Sequence, residues 1–286
     1  MTSEYQKWLS KFSDLYFSHN GRVAWRLYNH ALIPATIKRV ILELDPADAK
    51  RMLKESRALF IRYSSEVEID ATSWWYIYCD NYCPALLSGN TRSKLNRGRR
   101  RCVTRKMSVS ELKNSGYEVY KAAFSRYAGQ APLSKERYGE LIWRRKAGPF
   151  DIWGVWVSGD LAGYIICAIE DDEVFTEITR LHPGYLKHYT SYALFDAVLS
   201  HYVNGLGKVV NNGSRSVYHK TNMQQFLLKL GYRKQPCSLV VHYSLFGKLL
   251  VYISMCVHPI AKRYNNRVAS IINGVVKQER IRRCFL

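Results

Sequence analysis

The sequence predicts an α/β protein in which a mixed sheet is flanked by helices. Three observations between residues 154 and 232 predict it. Ser158-Gly159-Asp160 is a tight-turn signal between two apolar, β-rich runs, and the polar stretch 170–173 makes a second turn before another such run at 174–181. Tyr185, Tyr189, Tyr192, Phe195, Val198, Leu199 and Tyr202 then recur at steps of three and four, the period of a helix over 185–203. Gly205 and Gly207 end that helix, and Gly231 ends a second one at 223–230, because glycine accepts the left-handed geometry of a helix terminus.

The elements upstream follow the same logic. The opening stretch MTSEYQKWLSKFSDLYF is amphipathic and charged, without the apolar centre of a secretory signal. Residues 23–32 read as a strand, and Pro46 at the first turn of 46–55 suits a helix start. Aromatic and β-branched residues mark strands at 58–63 and 74–79. Trp74 and Trp75 read as core and rim rather than as a stacking platform. Strand, helix, strand, strand is compatible with a degenerate first copy of the downstream arrangement, although no internal sequence repeat marks it.

Charge locates the contact surfaces. The 286 residues carry a formal net charge of +20. Residues 87–149 hold sixteen basic and four acidic residues, and 245–286 hold eight and one, so two segments carry nearly all the excess. The first is centred on SGNTRSKLNRGRRRCVTRK, residues 88–106, which has eight basic residues and no acid. Ser88 or Asn90 is placed to cap a short helix there. Four arginines within five residues repel one another unless something neutralises them. The partner chemistry is a phosphate-rich one: a CoA-like donor, a tRNA acceptor stem or anionic lipid head groups. The bland alternative is a solvated basic face.

The second segment, from residue 245 onward, has an apolar run interrupted by Lys248 and Pro259, too broken for a spanning helix, which needs about 20 apolar residues. Its separated apolar and basic residues suit an amphipathic helix on an anionic membrane surface, or a helix pair packed on the body. Seven cysteines without paired spacing point to a reduced, cytoplasmic protein, peripheral at the inner face of the membrane if the tail binds there. Cys79 and Cys83 form one CxxxC, for which His30 or His182 would have to complete a zinc site; buried thiols and no metal are the expectation. No groove-reading motif for sequence-specific DNA is present.

The order of elements resembles the catalytic half of the GNAT acyltransferase fold, and within it the divergent FemAB-like branch. The residues that carry the resemblance are the GDLAGY hairpin, the HPGYLKHYTSYALFDAVL strand-to-helix junction and the NMQQFLLKLGYRK helix ending, within residues 87–244. The domain reading is 1–86, an N-terminal α/β region compatible with a degenerate GNAT-like copy; 87–244, the GNAT-like domain; and 245–286, the basic tail. The resemblance implies a cleft between two splayed strands that holds an acyl donor, either acyl-CoA or another acyl carrier. Acyl-CoA-binding members place Arg or Gln and then two glycines where the central helix begins, and the exposed amides grip the pyrophosphate. Here these positions are Leu186, Tyr189 and Ser191, with Lys187 and His188 supplying charge in place of the glycines. The tyrosine that acts as general acid four residues before the closing glycine is Leu227 here.

Acyl transfer to an amine needs a base and a donor to the tetrahedral oxyanion. Glu170, Glu177, Tyr164, Arg215 and His219 are the candidates, with Glu177, His219 and Tyr164 as the catalytic set. Glu177 lies mid-strand in VFTEITRL, where alternation aims it either into the cleft or at solvent. Arg215, Tyr218 and His219 lie in the polar loop NNGSRSVYHKTN, an expected acceptor site, with His219 otherwise a solvated loop histidine. Arg99, Arg100, Arg101, Lys187, His188 and Ser191 are the expected donor-binding residues. The activity that follows is acyl or aminoacyl transfer from a phosphorylated carrier to an amine or hydroxyl of a cell-envelope or lipid-linked precursor. The alternatives are a CoA-dependent small-molecule N-acetyltransferase and a catalytically inactive module that binds anionic lipid or RNA.

Overall fold

A computed structural model describes the chain except at residues 1, 20, 22, 68–72, 126–130, 216, 218–221, 265 and 284–286. It divides into two compact units, Met1–Tyr76 with Ser214–Thr221 and Lys234–Leu286, and Ile77–Gly213 with Asn222–Arg233.

In the first unit, α1 (Glu4–Ser10) precedes three antiparallel strands, β1 (Leu15–Phe17), β2 (Ala24–Tyr28) and β3 (Ala31–Pro34). The single strand expected over 23–32 is therefore a hairpin. Asn29 and His30 both take positive φ, 48° and 63°, the geometry of the two-residue turn that matches strand twist. Helix α2 (Pro46–Ser56) starts where Pro46 predicts, with the Asp45 carboxylate accepting from the amides of Ala47 and Asp48. It leads to β4 (Phe60–Ser65), which runs parallel to β3 and antiparallel to β11 (Arg233–Tyr243). Trp25, Leu32, Met52 and Ile61 are buried between α2 and this sheet.

The second unit repeats that plan with more support. Helix α3 (Gly89–Arg101) has Ser88 as its N-cap, as expected, and leads into β6 (Val103–Met107), after β5 (Trp74–Cys79). Helices α4 (Val109–Phe124) and α5 (Lys135–Trp143) precede the antiparallel strands β7 (Phe150–Val157), β8 (Asp160–Glu170) and β9 (Glu173–Leu181). Helix α6 (Thr190–Leu199) returns the chain to β10 (Val209–Ser214), parallel to β9, and α7 (Met223–Lys229) follows. The sheet order is β10-β9-β8-β7-β6. Alternating side chains cover both faces: Val155, Ile165 and Cys167 pack with Leu194, Phe195 and Val198 of α6, while Ile152, Tyr164 and Ile166 pack under Leu112, Tyr138 and Ile142 of α4 and α5. An antiparallel meander, a crossover helix and a parallel strand thus occur once in each unit.

The expected continuous helix over 185–203 is three pieces. A 3₁₀ segment (Pro183–His188) ends at Tyr189, whose φ of 63° breaks the helical path; α6 follows, and a π-helical turn (Ser200–Gly205) closes it. The tail forms α8 (Leu245–Ala261) and α9 (Arg267–Arg282), which pack on one another, and Ile281 is buried beside Trp74, Cys237 and Leu239. Among the described residues no helix is long and apolar enough to cross a membrane.

Candidate active site

Strands β9 and β10 pair over only three positions, Glu173–Phe175 against Val209–Asn211, although β9 continues to Leu181. Beyond Phe175 side chains replace the ladder: Thr176 Oγ1 donates to the Asn211 carbonyl (3.2 Å), and the Asn212 amide donates to Thr176 Oγ1 (2.6 Å). The Asn211 amide is committed to Glu173 (2.7 Å). Gly213, at φ 75°, lets the chain turn away where a Cβ would stand 3.1 Å from the Phe175 ring. The parting opens toward the carboxyl ends of the two parallel strands, the side on which open α/β sheets take their ligands.

Glu177 sits two residues past the last paired position, Phe175, and is displaced from regular alternation. The β8 residues Ile166 and Cys167 pair with Ile178 and Thr176, so Glu177 is an extra residue, a β-bulge. A bulge re-aims its side chain and releases a backbone N–H from the ladder. Arg145, buried, donates from Nη2 (3.1 Å) and Nε (3.3 Å) to Glu177 Oε2, while its other amine is held by the Leu141 carbonyl. The pair fixes the carboxylate on one oxygen and leaves Oε1 outside it.

The start of α6 follows the carboxyl end of β9 through the 3₁₀ segment Pro183–His188. No side chain caps α6, and Thr190 is buried with Oγ1 unpartnered. The backbone of α3 lies directly on this junction: a Cβ on Gly98 would meet the Tyr189 carbonyl at 2.9 Å. The Arg97 guanidinium donates to the Tyr189 hydroxyl (3.1 Å), and Arg97 and Arg101 lie 5.8 and 5.9 Å from the Tyr189 ring centre. The Cys102 thiol donates to the His188 carbonyl (3.4 Å). Next to this junction a groove of about 530 Å³ is lined by Arg99, Arg100, Arg101, Arg105, Trp156 and Ser158 among others, with no acid in its wall.

The expected donor residues therefore fall together, around the end of α3 and the start of α6, but with different roles. Arg100 and Arg101 are exposed in the groove, Lys187 is exposed on the adjoining turn, and His188 and Ser191 are half-buried. Arg99 lines the groove yet makes a two-pronged bond to Asp196 (2.7 and 2.7 Å), which also accepts from the Tyr82 hydroxyl (2.7 Å). Asp196 is not among the site residues expected from the sequence, where its signal is an acid inside the apolar run YALFDAVL. Arg145 carried no comparable mark. Tyr164 is fully buried, its hydroxyl accepting from Tyr138 (3.5 Å), and burial pushes its pKa well above the ordinary phenol value. Glu170 is half-buried with Oε2 unpartnered. Leu227 is core.

Arg215 belongs to the other unit. Its backbone amide donates to the Trp75 carbonyl (3.0 Å), its guanidinium donates to the Ser73 carbonyl (2.8 Å) and covers the Trp75 ring at 4.7 Å, and burial lowers its pKa. Tyr218 and His219 lie outside the described residues. Cys79 is buried, which pushes its thiol up to about 11, and Cys83 is exposed. Among the described residues no three His, Cys, Asp or Glu side chains are grouped to hold a metal.

Three solved structures share this architecture. The C-terminal domain of a candidate lysylphosphatidylglycerol synthetase from Agrobacterium fabrum matches over 90% of this chain and 93% of its own, with a TM-score of 0.57 and 10% identity. FemX matches over 88% and 92%, at 0.56 and 9% identity, and L-PGS from Bacillus licheniformis over 83% and 87%, at 0.54 and 12% identity. The chain has a GNAT-like, FemAB-like fold. No protein-family model and no curated protein matches the sequence, so the likeness is one of fold.

Proposed function

We propose that this GNAT-like chain is an acyltransferase, moving an acyl or aminoacyl group from a phosphorylated carrier to an amine or hydroxyl of a cell-envelope or lipid-linked precursor. The observation that carries the reading is the bulge at Glu177, held by Arg145 and set just beyond the point where β9 parts from β10. The likeness to FemX and to a domain of a candidate lysylphosphatidylglycerol synthetase supports the substrate class, since the latter name joins an aminoacyl group to a phospholipid.

In this reading the carrier phosphate binds the acid-free groove through Arg100 and Arg101, assisted by Lys187, His188 and the uncapped amides of Thr190 and Ser191. The carrier's acyl carbonyl enters the parting of β9 and β10. Glu177, held by Arg145, accepts through Oε1 the proton of the attacking amine or hydroxyl. The new C–N or C–O bond forms as the carbonyl oxygen takes up the negative charge, and the N–H released by the bulge stabilises that oxyanion. Collapse breaks the bond to the carrier, which leaves with the proton from Glu177. Aminoacyl-tRNA suits the groove better than acetyl-CoA, because Tyr189 stands where the CoA-binding pattern has glycine.

The test supplies purified protein with aminoacyl-tRNA carrying a labelled amino acid and, separately, with labelled acetyl-CoA, each with a lipid extract and simple amines. Label should move from the tRNA to lipid, and Glu177→Gln should slow that transfer by about a hundredfold or more without weakening carrier binding. Acetyl-CoA bound at about 10 μM or tighter, or acetylated amines as the product, would replace this reading with a small-molecule acetyltransferase.

A further inference from the structure

Helix α8 is amphipathic in the sense opposite to its packing. The side it turns to the protein is made of Gly247, Val251, Ser254, His258 and Ala261, all buried and mostly small or polar. The opposite side carries Leu245, Phe246, Leu249, Tyr252, Ile253 and Ile260, and all of them are exposed: Leu245 86%, Tyr252 69%, Phe246 60% and Ile260 60%. At 100° per residue these two sets fall on opposite halves of the helix. Tyr264 and, on α9, Val268 and Ile271 extend the exposed apolar surface. A contiguous face of this kind marks an interaction site, because a soluble domain gains nothing from holding its largest apolar side chains in water.

Charge decides what covers it. Lys248, Lys262 and Arg263 are exposed beside the apolar side chains. The segment 245–286 has eight basic residues and one acid, Glu279. That acid is buried and bonded to Arg282, Arg283 and the Tyr243 hydroxyl. The surface therefore presents cations with no exposed carboxylate among the described residues of the segment. A second copy of the chain seated here by twofold symmetry would set Lys248, Lys262 and Arg263 against the same residues of its mate, and like charges across an interface oppose association. An anionic lipid surface offers apolar depth and negative charge together, and an interfacial helix buries its apolar side about 5–10 Å below the head groups. We infer that α8, with the start of α9, is a membrane-docking surface that lies flat on anionic lipid. This inference concerns binding by the first unit alone and does not depend on the transfer chemistry.

The experiment is co-sedimentation of the full chain with vesicles of phosphatidylcholine, with and without phosphatidylserine, at rising salt, alongside sedimentation velocity without lipid. The chain should pellet with the phosphatidylserine vesicles, remain in solution with phosphatidylcholine alone, and be released by salt. Leu249→Glu, Tyr252→Glu and Ile253→Glu combined should abolish pelleting while leaving the melting temperature unchanged, since all three are exposed. Lys248→Glu with Lys262→Glu removes two surface cations and should weaken binding by about thirtyfold or more, a second route should the triple variant misfold. Equal binding to both vesicle types, or pelleting that survives both variants, overturns the inference. So does a dimer in the absence of lipid that the triple variant converts to monomer, which would assign the face to a second copy.

Discussion

Two basic residues side by side in the sequence do different work. Arg99 is turned to a buried carboxylate, whereas Arg100 is exposed in the groove. Removing the Arg99 side chain leaves Asp196 buried with only Tyr82 to answer it. Breaking a fully buried pair costs about 3–5 kcal/mol, and the half-exposed guanidinium reduces that to about 2 kcal/mol. Arg99→Ala should therefore lower the melting temperature by several degrees, and Arg100→Ala should leave it within experimental error. Carrier affinity should respond to Arg100→Ala and Arg101→Ala together, with stability retained, as fluorescence titration with aminoacyl-tRNA would show. Equal melting of the Arg99 and Arg100 variants would remove Asp196 from this account. Three buried or half-buried histidines give a second prediction at this scale. His242 stacks on Tyr63 with Nε2 3.2 Å from its hydroxyl, and burial lowers its pKa; burial lowers those of His258 and His201 as well. A lowered folded-state value means the unfolded chain takes up the proton first, near pH 6.5. Stability should be fully present above about pH 6.5 and fall as the pH drops below it. In His242→Phe the slope of melting temperature against pH below 6.5 should be shallower than in the parent, whatever the variant's stability at neutral pH.

At the scale of elements, the sequence was most legible where one local rule acts alone. The turn at Ser158-Gly159, the start of α2 at Pro46, the cap of α3 at Ser88 and β5 all stand where turn chemistry, capping and propensity put them. It was least legible where a neighbouring element overrides the local pattern. Tyr-Asn-His at 28–30 turns a β-rich run back on itself, and only the asparagine hinted at it. The three-and-four periodicity of 185–203 runs unbroken through Tyr189, because a left-handed residue leaves no trace in the spacing of apolar side chains. The bulge that sets Glu177 apart is equally silent, since it is a property of the register between β8 and β9 and not of either strand alone. Tyr189 holds a conformation that costs an L-residue about 1–2 kcal/mol and glycine almost nothing. Its hydroxyl and ring in return position Arg97 and Arg101. Tyr189→Gly should therefore leave thermal stability unchanged or slightly raised while carrier binding weakens, and Tyr189→Phe should show a smaller loss. A glycine variant that binds the carrier as tightly as the parent would show that the ring has no part in the site.

Across the whole chain, each unit contains a meander, a crossover helix and a parallel strand, and the basic excess is gathered into two segments rather than spread. The segment 245–286 shows why composition could not choose between a packed tail and an exposed one: one side of α8 is buried on the body and the opposite side holds apolar side chains in the open. The packed side is integral to the first unit. Ile281 fills a cluster with Trp74, Val217, Cys237, Leu239 and Val241, and the Tyr243 hydroxyl donates to Glu279. Burying one such isoleucine contributes about 1.5–3 kcal/mol, and Val251 and Val276 are lost with it on truncation. A domain whose total stability is about 5–15 kcal/mol has little reserve against that loss. Truncation after Ser244 should therefore give a protein that aggregates or melts well below the full chain by differential scanning calorimetry, in contrast to substitutions on the exposed side of α8. A truncated chain that stays monomeric and melts with the parent would mean that α8 and α9 are a separable appendage, and that the cluster around Ile281 contributes nothing to the fold.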